Sequence, residues 1–109
     1  MKVEAVEPGC WLIDCLTLWL STTMDALGAW DDGWIDAEGV LACSIDELVA
    51  AWRGARRRCV AVSNEVGSGI VPDTSAGRRF RDILGQLNTS MAAASDEVLL
   101  CLAGRVLTL

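Results

Sequence analysis

The 109-residue chain contains no histidine. That removes the commonest general base, the usual zinc ligand and any covalent intermediate carried on an imidazole. It contains no glycine-rich loop ending in Lys-Ser or Lys-Thr, the backbone cradle with which many nucleotide enzymes hold a triphosphate. Its five cysteines, at positions 10, 15, 43, 59 and 101, form no Cys-x-x-Cys pair and are odd in number. That pattern argues against a zinc cluster, and the thiols are expected as small buried hydrophobes in a reducing compartment, with a reactive thiol as the lesser alternative. Charge is scarce as well. Nine basic residues stand against fifteen acidic ones, for a net charge of -6, too little basic surface for a general nucleic-acid binder. No apolar run approaches the ~18 residues that a membrane span needs. Residues 1–8 lack the apolar core of a secretory signal. A soluble, cytoplasmic protein is expected.

What is plentiful is apolar character, 52% of residues, on the rich side for a domain of this size. The length suits one domain over residues 1–109. The apolar excess points to surface covered by a partner subunit or by residues outside these 109. The positive charge clusters at Arg53, Arg56, Arg57 and Arg58 and again at Arg78, Arg79 and Arg81. Both clusters read chiefly as solvated helix faces, with anion contact as the lesser alternative.

Hydrophobic spacing divides the chain into alternating strands and helices. After Pro8-Gly9, the continuous run Cys10 to Ile13 predicts a strand buried on both faces. Leu16, Trp19, Leu20, Thr23 and Leu27 then follow a helical spacing, with Gly28 as its stop. Residues 29–43 mix acids, glycines and two tryptophans and read as a solvated loop with its aromatics folded inward, or else as a lid. Ser44 and Glu47 have the spacing of a capping box, which predicts that a helix begins there, with Arg56 to Arg58 in its last turn. Cys59 to Val62 predicts a second buried strand, parallel to the first. The clearest helix carries Ala76, Phe80, Ile83, Leu84, Leu87, Met91 and Ala94, capped by Asp73 or Thr74. Val98 to Ala103 predicts a third strand, returning through a Gly104-Arg105 turn as a carboxyl-terminal β-hairpin. The fold class is α/β, one layer built on a mostly parallel sheet with flanking helices.

In such a sheet ligands bind beyond the carboxyl ends of the strands. Asp14 closes the first strand, and Asn64 and Glu65 follow the second. Asp14 in that place either holds magnesium and nucleotide or caps the helix behind it, and the two roles are compatible. Thr17, one turn on, adds a hydroxyl. Gly67 and Gly69 allow positive φ and close backbone approach to a ligand, or serve only the geometry of a tight connection. Glu65 is a candidate binding or acid–base residue.

The stretch NEVGSGIVPDTSAGRRFRDILGQLN, the following MAAASDEVLL and the upstream LIDCLTLWLS together resemble the bifunctional adenosylcobinamide kinase / adenosylcobinamide-phosphate guanylyltransferase family of cobalamin biosynthesis. The resemblance runs from about Cys10 to Leu109. It implies a P-loop NTPase-like (RecA-like) fold in a cytoplasmic homo-oligomer, commonly a trimer. It also implies two reactions. A nucleoside triphosphate phosphorylates the aminopropanol hydroxyl of adenosylcobinamide, and GTP then donates GMP through a guanylyl-histidine to give adenosylcobinamide-GDP. GTP or ATP with Mg2+ is the implied cofactor. Carried over by position, Asp14, with Thr17, is the implied nucleotide and magnesium contact, and Asn64, Glu65, Gly67 and Gly69 belong to the cleft. The family pattern opens with a strand and a Gly-Lys-Ser loop and then supplies the histidine, and neither is in these 109 residues. The expectation is therefore a carboxyl-terminal portion, truncated at its amino end and inactive alone. The alternative is a non-catalytic corrinoid-binding or subunit-assembly module. A third possibility is a different α/β nucleotidase or kinase using Asp14 and Glu65 as catalytic acids.

Overall fold

Parallel strands need a crossover that covers one face of the sheet, and the chain supplies it with two helices rather than one. The computed structural model describes residues 9–30 and 34–109 in full, and the backbone alone for residues 2–7. Strand β2 (Cys10–Asp14) lies at the centre of a three-stranded sheet of order β1-β2-β3. Strand β3 (Arg58–Val62) runs parallel to it, with Cys10 opposite Arg58, Ile13 opposite Ala61 and Asp14 opposite Val62. On the other side β1 (Lys2–Glu7) pairs antiparallel with β2, its Val3 opposite Ile13. The sequence reading did not foresee β1. Its alternating Lys-Val-Glu-Ala-Val-Glu is too charged to resemble a buried strand, and it is a strand through its backbone pairing with β2. One of the two pairings in this sheet is therefore parallel, where a mostly parallel sheet was expected.

Helix α1 (Leu16–Leu27) keeps the predicted stripe, burying Leu16, Leu20 and Met24. Gly28 ends it in the left-handed conformation, φ 64°, as a helix C-terminus favours. Helix α2 (Trp34–Gly54) overturns the loop expected over residues 29–43. Trp34, Ala37, Leu41, Ile45, Leu48 and Trp52 recur on one face at helical spacing, and burial along it outweighs the cost of an internal Gly39, about 1 kcal/mol. Neither a solvated loop nor a lid exists over Trp34 to Cys43; Asp31, Asp32 and Gly33 lie outside the described residues. Ser44 is consequently no cap. It sits mid-helix, and its hydroxyl donates back to the Val40 carbonyl at 3.1 Å, a bond that a serine inside a helix commonly makes. None of the three arginines expected in the last turn of this helix lies there: Arg56 and Arg57 are in the connection and Arg58 opens β3, while Arg53 holds the last turn.

Helix α3 (Ser75–Ala93) matches its predicted pattern, burying Leu84, Leu87 and Met91. Thr74 is its cap, accepting the Gly77 amide on Oγ1 at 3.0 Å. The three helices pack on one another and on Ile13 and Ala61, forming a single core of Ile13, Leu16, Leu20, Met24, Ala29, Ala37, Leu41, Leu84, Leu87 and Met91. Polar staples align them. Arg79 donates to the Trp30 carbonyl at 2.9 Å while its guanidinium lies over the Trp34 ring, 4.6 Å from the centroid. It is a structural arginine, not part of a solvated face. Trp30, packed on Phe80, donates its indole N–H to Asp25. At the far end Trp52 donates to Ser95 at 3.0 Å.

The opposite face of the sheet is open. Val60 and Val62 are 45% and 43% exposed, so β3 is not the strand buried on both faces that its apolar run suggested. Strands β4 (Leu99–Leu102) and β5 (Arg105–Thr108) make the expected hairpin but form a separate two-stranded sheet instead of joining the first. Its turn is Ala103-Gly104, with φ of 52° and 73°, one residue earlier than expected; a tight turn of this kind needs positive φ at both central positions. The cysteines also depart from expectation. Only Cys10 is buried, while Cys43 on α2 and Cys101 on β4 are exposed. No described helix is long and apolar enough to cross a membrane.

Leu87 has no exposed surface, so Leu87→Ala should cost about 2–5 kcal/mol in chemical denaturation. Thr74→Ala removes one cap bond only, and the expected loss is about 1 kcal/mol with the helix content measured by circular dichroism retained.

Candidate functional site

The parallel register sets Asp14 beside Val62, so both strands leave the sheet at the same end. Asp14 is exposed there as the last residue of β2, and the peptide bond that follows it is cis. The N-cap of α1 is Cys15, with no side-chain cap bond, so helix capping is not what occupies the Asp14 carboxylate. Three residues on, Thr17 projects from the first turn of α1 and donates its hydroxyl to Asn64 Oδ1 at 2.7 Å. Residues 47 positions apart are thereby joined, one behind each strand.

Beyond β3 the chain is held by α3. Asn88 donates its amide to the Asn64 carbonyl at 2.9 Å and accepts the Ser63 hydroxyl on Oδ1 at 2.5 Å. Glu65 turns inward on its own loop, accepting the Gly67 amide at 2.6 Å. A Cβ on Gly67 would stand 3.0 Å from that carboxylate oxygen, so close approach of Glu65 is what a glycine permits here. Positive φ is not the reason for either glycine. Among the described residues only Gly9, Gly28 and Gly104 of the glycines adopt it, and Gly69 has open space where a side chain would sit. The loop is then tied to α3. A Cβ on Gly77 would meet Pro72 Cβ at 2.8 Å, and Arg78 donates to the Pro72 carbonyl at 3.0 Å.

Of the residues singled out from sequence, Thr17 and Asn64 are brought into contact, Asp14 ends the adjoining strand, and Glu65 and Gly67 form one turn. Gly69 lies farther along, exposed and in no contact with them. Asn88 and Ser63 were missed. The signal for Asn88 was present: it lies within the apolar stripe of Leu84, Leu87 and Met91, where a poor helix former with a polar side chain has a partner to find.

The site is an open ledge rather than an enclosed pocket. Two depressions lie elsewhere among the described residues: a shallow one between α1 and α2 at Trp19 and Leu48, and a groove of about 390 Å³ between α2 and α3 floored by Trp34, Leu41 and Ile83. Chemically, the ledge offers an exposed carboxylate, a hydroxyl, a carboxamide and a loop of backbone amides. A magnesium ion keeps several waters and takes one or two carboxylates together with substrate phosphates, and a single exposed strand-end Asp fits that preference better than it fits a closed protein cage.

Comparison with known proteins gives the family. Residues 1–109 match the family described as cobinamide kinase / cobinamide phosphate guanyltransferase. The chain is 38% identical over 97 residues to the bifunctional adenosylcobalamin biosynthesis protein CobU of Salmonella typhimurium strain LT2, covering 85% of this chain and 54% of that protein. It is 35% identical over 99 residues to the CobU protein of Escherichia coli K12, with the same coverage of each. To the bifunctional adenosylcobalamin biosynthesis protein CobP of Pseudomonas aeruginosa PAO1 it is 35% identical over 106 residues, 95% of this chain and 55% of the relative. The chain thus spans about half the length of the curated relatives it matches, and on these matches it belongs to the cobinamide kinase / cobinamide phosphate guanyltransferase family.

Proposed function

We propose that this chain carries the strand-end part of a nucleotide-dependent transferase of cobalamin biosynthesis. The substrate is adenosylcobinamide, phosphorylated at its aminopropanol hydroxyl and then joined to GMP from GTP. The observation that carries the reading is the Thr17–Asn64 bond, which brings together the two segments that follow Asp14 and Val62 on neighbouring parallel strands. In a P-loop NTPase-like sheet this is where a triphosphate lies.

Asp14 is the residue to hold magnesium, directly or through water, and Thr17 adds an oxygen from the first turn of α1. Magnesium bound there would neutralise charge developing on the phosphate oxygens. Phosphoryl transfer depends mainly on positioning and charge stabilisation, so ordered polar groups at this edge suffice as the chain's contribution. Asn64, Glu65 and Gly67 line the open ledge, with Gly69 farther along the same loop. The family resemblance implies a guanylyl-histidine and a Gly-Lys-Ser loop, and these 109 residues contain neither. The 109 residues by themselves are accordingly proposed to bind without turning over, and a cytoplasmic homo-oligomer, a trimer by family resemblance, is the proposed assembly.

A second reading, a non-catalytic corrinoid-binding or subunit-assembly module, draws on the open faces of β3 and of the β4–β5 hairpin, where Val60, Val62, Leu99, Leu102, Val106 and Leu107 are all exposed.

Titration of the folded chain with Mg-GTP, followed by tryptophan fluorescence, should give saturable micromolar binding and no transfer to adenosylcobinamide. Asp14→Asn should weaken that binding at least about tenfold, on the order of 1.4 kcal/mol, with the circular dichroism spectrum unchanged. A folded wild-type chain that does not bind would overturn the nucleotide reading in favour of the assembly module. Measurable turnover would overturn the proposed inactivity.

A further inference from the structure

We propose that Asn88 is a positioning residue of the strand-end site, acting through Asn64, and that Asn64 presents its amide nitrogen to an acceptor-only group such as a phosphate oxygen. The inference rests on the nucleotide reading given above for the ligand, and on geometry for the coupling.

Asn88 stands on α3, outside both strand-end segments, yet makes two bonds to the exit of β3. Its Nδ2 donates to the Asn64 carbonyl at 2.9 Å and its Oδ1 accepts from Ser63 at 2.5 Å. Only a side chain with a donor and an acceptor at this reach satisfies both. Aspartate would set a second acceptor against the Asn64 carbonyl, and an apolar residue would leave both groups unmatched. With its backbone fixed in this way, Asn64 turns its Oδ1 to the Thr17 hydroxyl, 2.7 Å away. The acceptor half of the carboxamide is thereby occupied. Its nitrogen, with two N–H groups, has no acceptor among the described residues, and Asn64 is exposed. A carboxamide held by its oxygen is a directed donor, suited to oxygens that only accept. Asn88 therefore sets the orientation of a donor that it does not itself share with the ligand.

The test compares wild type with Asn64→Ala, Asn88→Ala, Asn88→Asp and the double variant Asn64→Ala/Asn88→Ala. Stability is read by denaturation, and Mg-GTP affinity on chains shown to be folded. Both Asn88 variants should lose about tenfold in affinity. The double variant should bind no more weakly than Asn64→Ala, because Asn88 has no path to the ligand except Asn64. A purely structural Asn88 would lower stability but leave the affinity of folded molecules unchanged, and that result would overturn the proposal. The coupling is also read without nucleotide. In 15N spectra the Asn64 side-chain amide signals should shift both in Asn88→Ala and in Thr17→Val. Unmoved signals would overturn the proposal even where nucleotide binds. A shift in Asn88→Ala, found together with a wild-type chain that fails to bind Mg-GTP, would uphold the positioning by Asn88 and end the nucleotide reading alone.

Discussion

Two strands that run in the same direction cannot be joined by a turn, and this chain is organised around that restriction. Between Asp14 and Arg58 it must travel back across the sheet, and it does so with α1 and α2. Both helices must bury their apolar stripes against the same face, since the crossover has only one side on which to lie. Leu16, Leu20 and Met24 of α1 and Ala37 and Leu41 of α2 are the result, with Leu84, Leu87 and Met91 of α3 completing the layer. The same restriction sets both strand exits at one end. The chemistry-bearing residues meet there because the pairing is parallel, and an antiparallel pair would have separated them by the length of the sheet.

Much of this was legible in the residues. Period and punctuation agree for α1 and α3: a clean apolar stripe, Gly28 at one end, Thr74 at the other. Strands β2 and β3 were visible as apolar runs, although the exposure of β3 was not, because a run of apolar residues records what a strand can bury and says nothing about what covers it. The first half of α2 was hidden by its composition. Acids and Gly39 imitate a loop, Ser44 and Glu47 imitate a helix start, and the stripe that decides the matter, Trp34 to Leu41, becomes convincing only when extended through Ile45 to Trp52. Strand β1 was hidden for the opposite reason, since its strand character comes from its partner. The rule that ligands gather at strand ends singled out Asp14, Thr17 and Asn64, and the structure joins Thr17 to Asn64. It could not single out Asn88, whose bonds to Ser63 and Asn64 depend on a helix returning over the exit of β3.

The polar network at that exit draws on three elements: Thr17 from α1, Ser63 and Asn64 after β3, and Asn88 from α3. Hydrogen bonds linked in this way reinforce one another, and the whole set is satisfied only when all three elements are in place. The site is thus a property of the assembled layer and not of any single motif, even though the most recognisable stretch of sequence is the Asn64 to Pro72 loop. Pro72 in turn rests against Gly77, so the loop is anchored at its far end by the same helix that fixes its beginning.

The hairpin at the carboxyl end has a different standing. Strands β4 and β5 bond to each other, with Leu109 closing on the Val98 carbonyl at 2.9 Å, and every residue of β5 is exposed. A two-stranded ribbon alone is marginal in water. The native chain therefore has two thermodynamic regions. Opening the helical layer requires surrendering the core, whereas opening the hairpin forfeits little more than its own ladder, so its amides exchange with solvent through local fluctuations that leave the strand-end site intact.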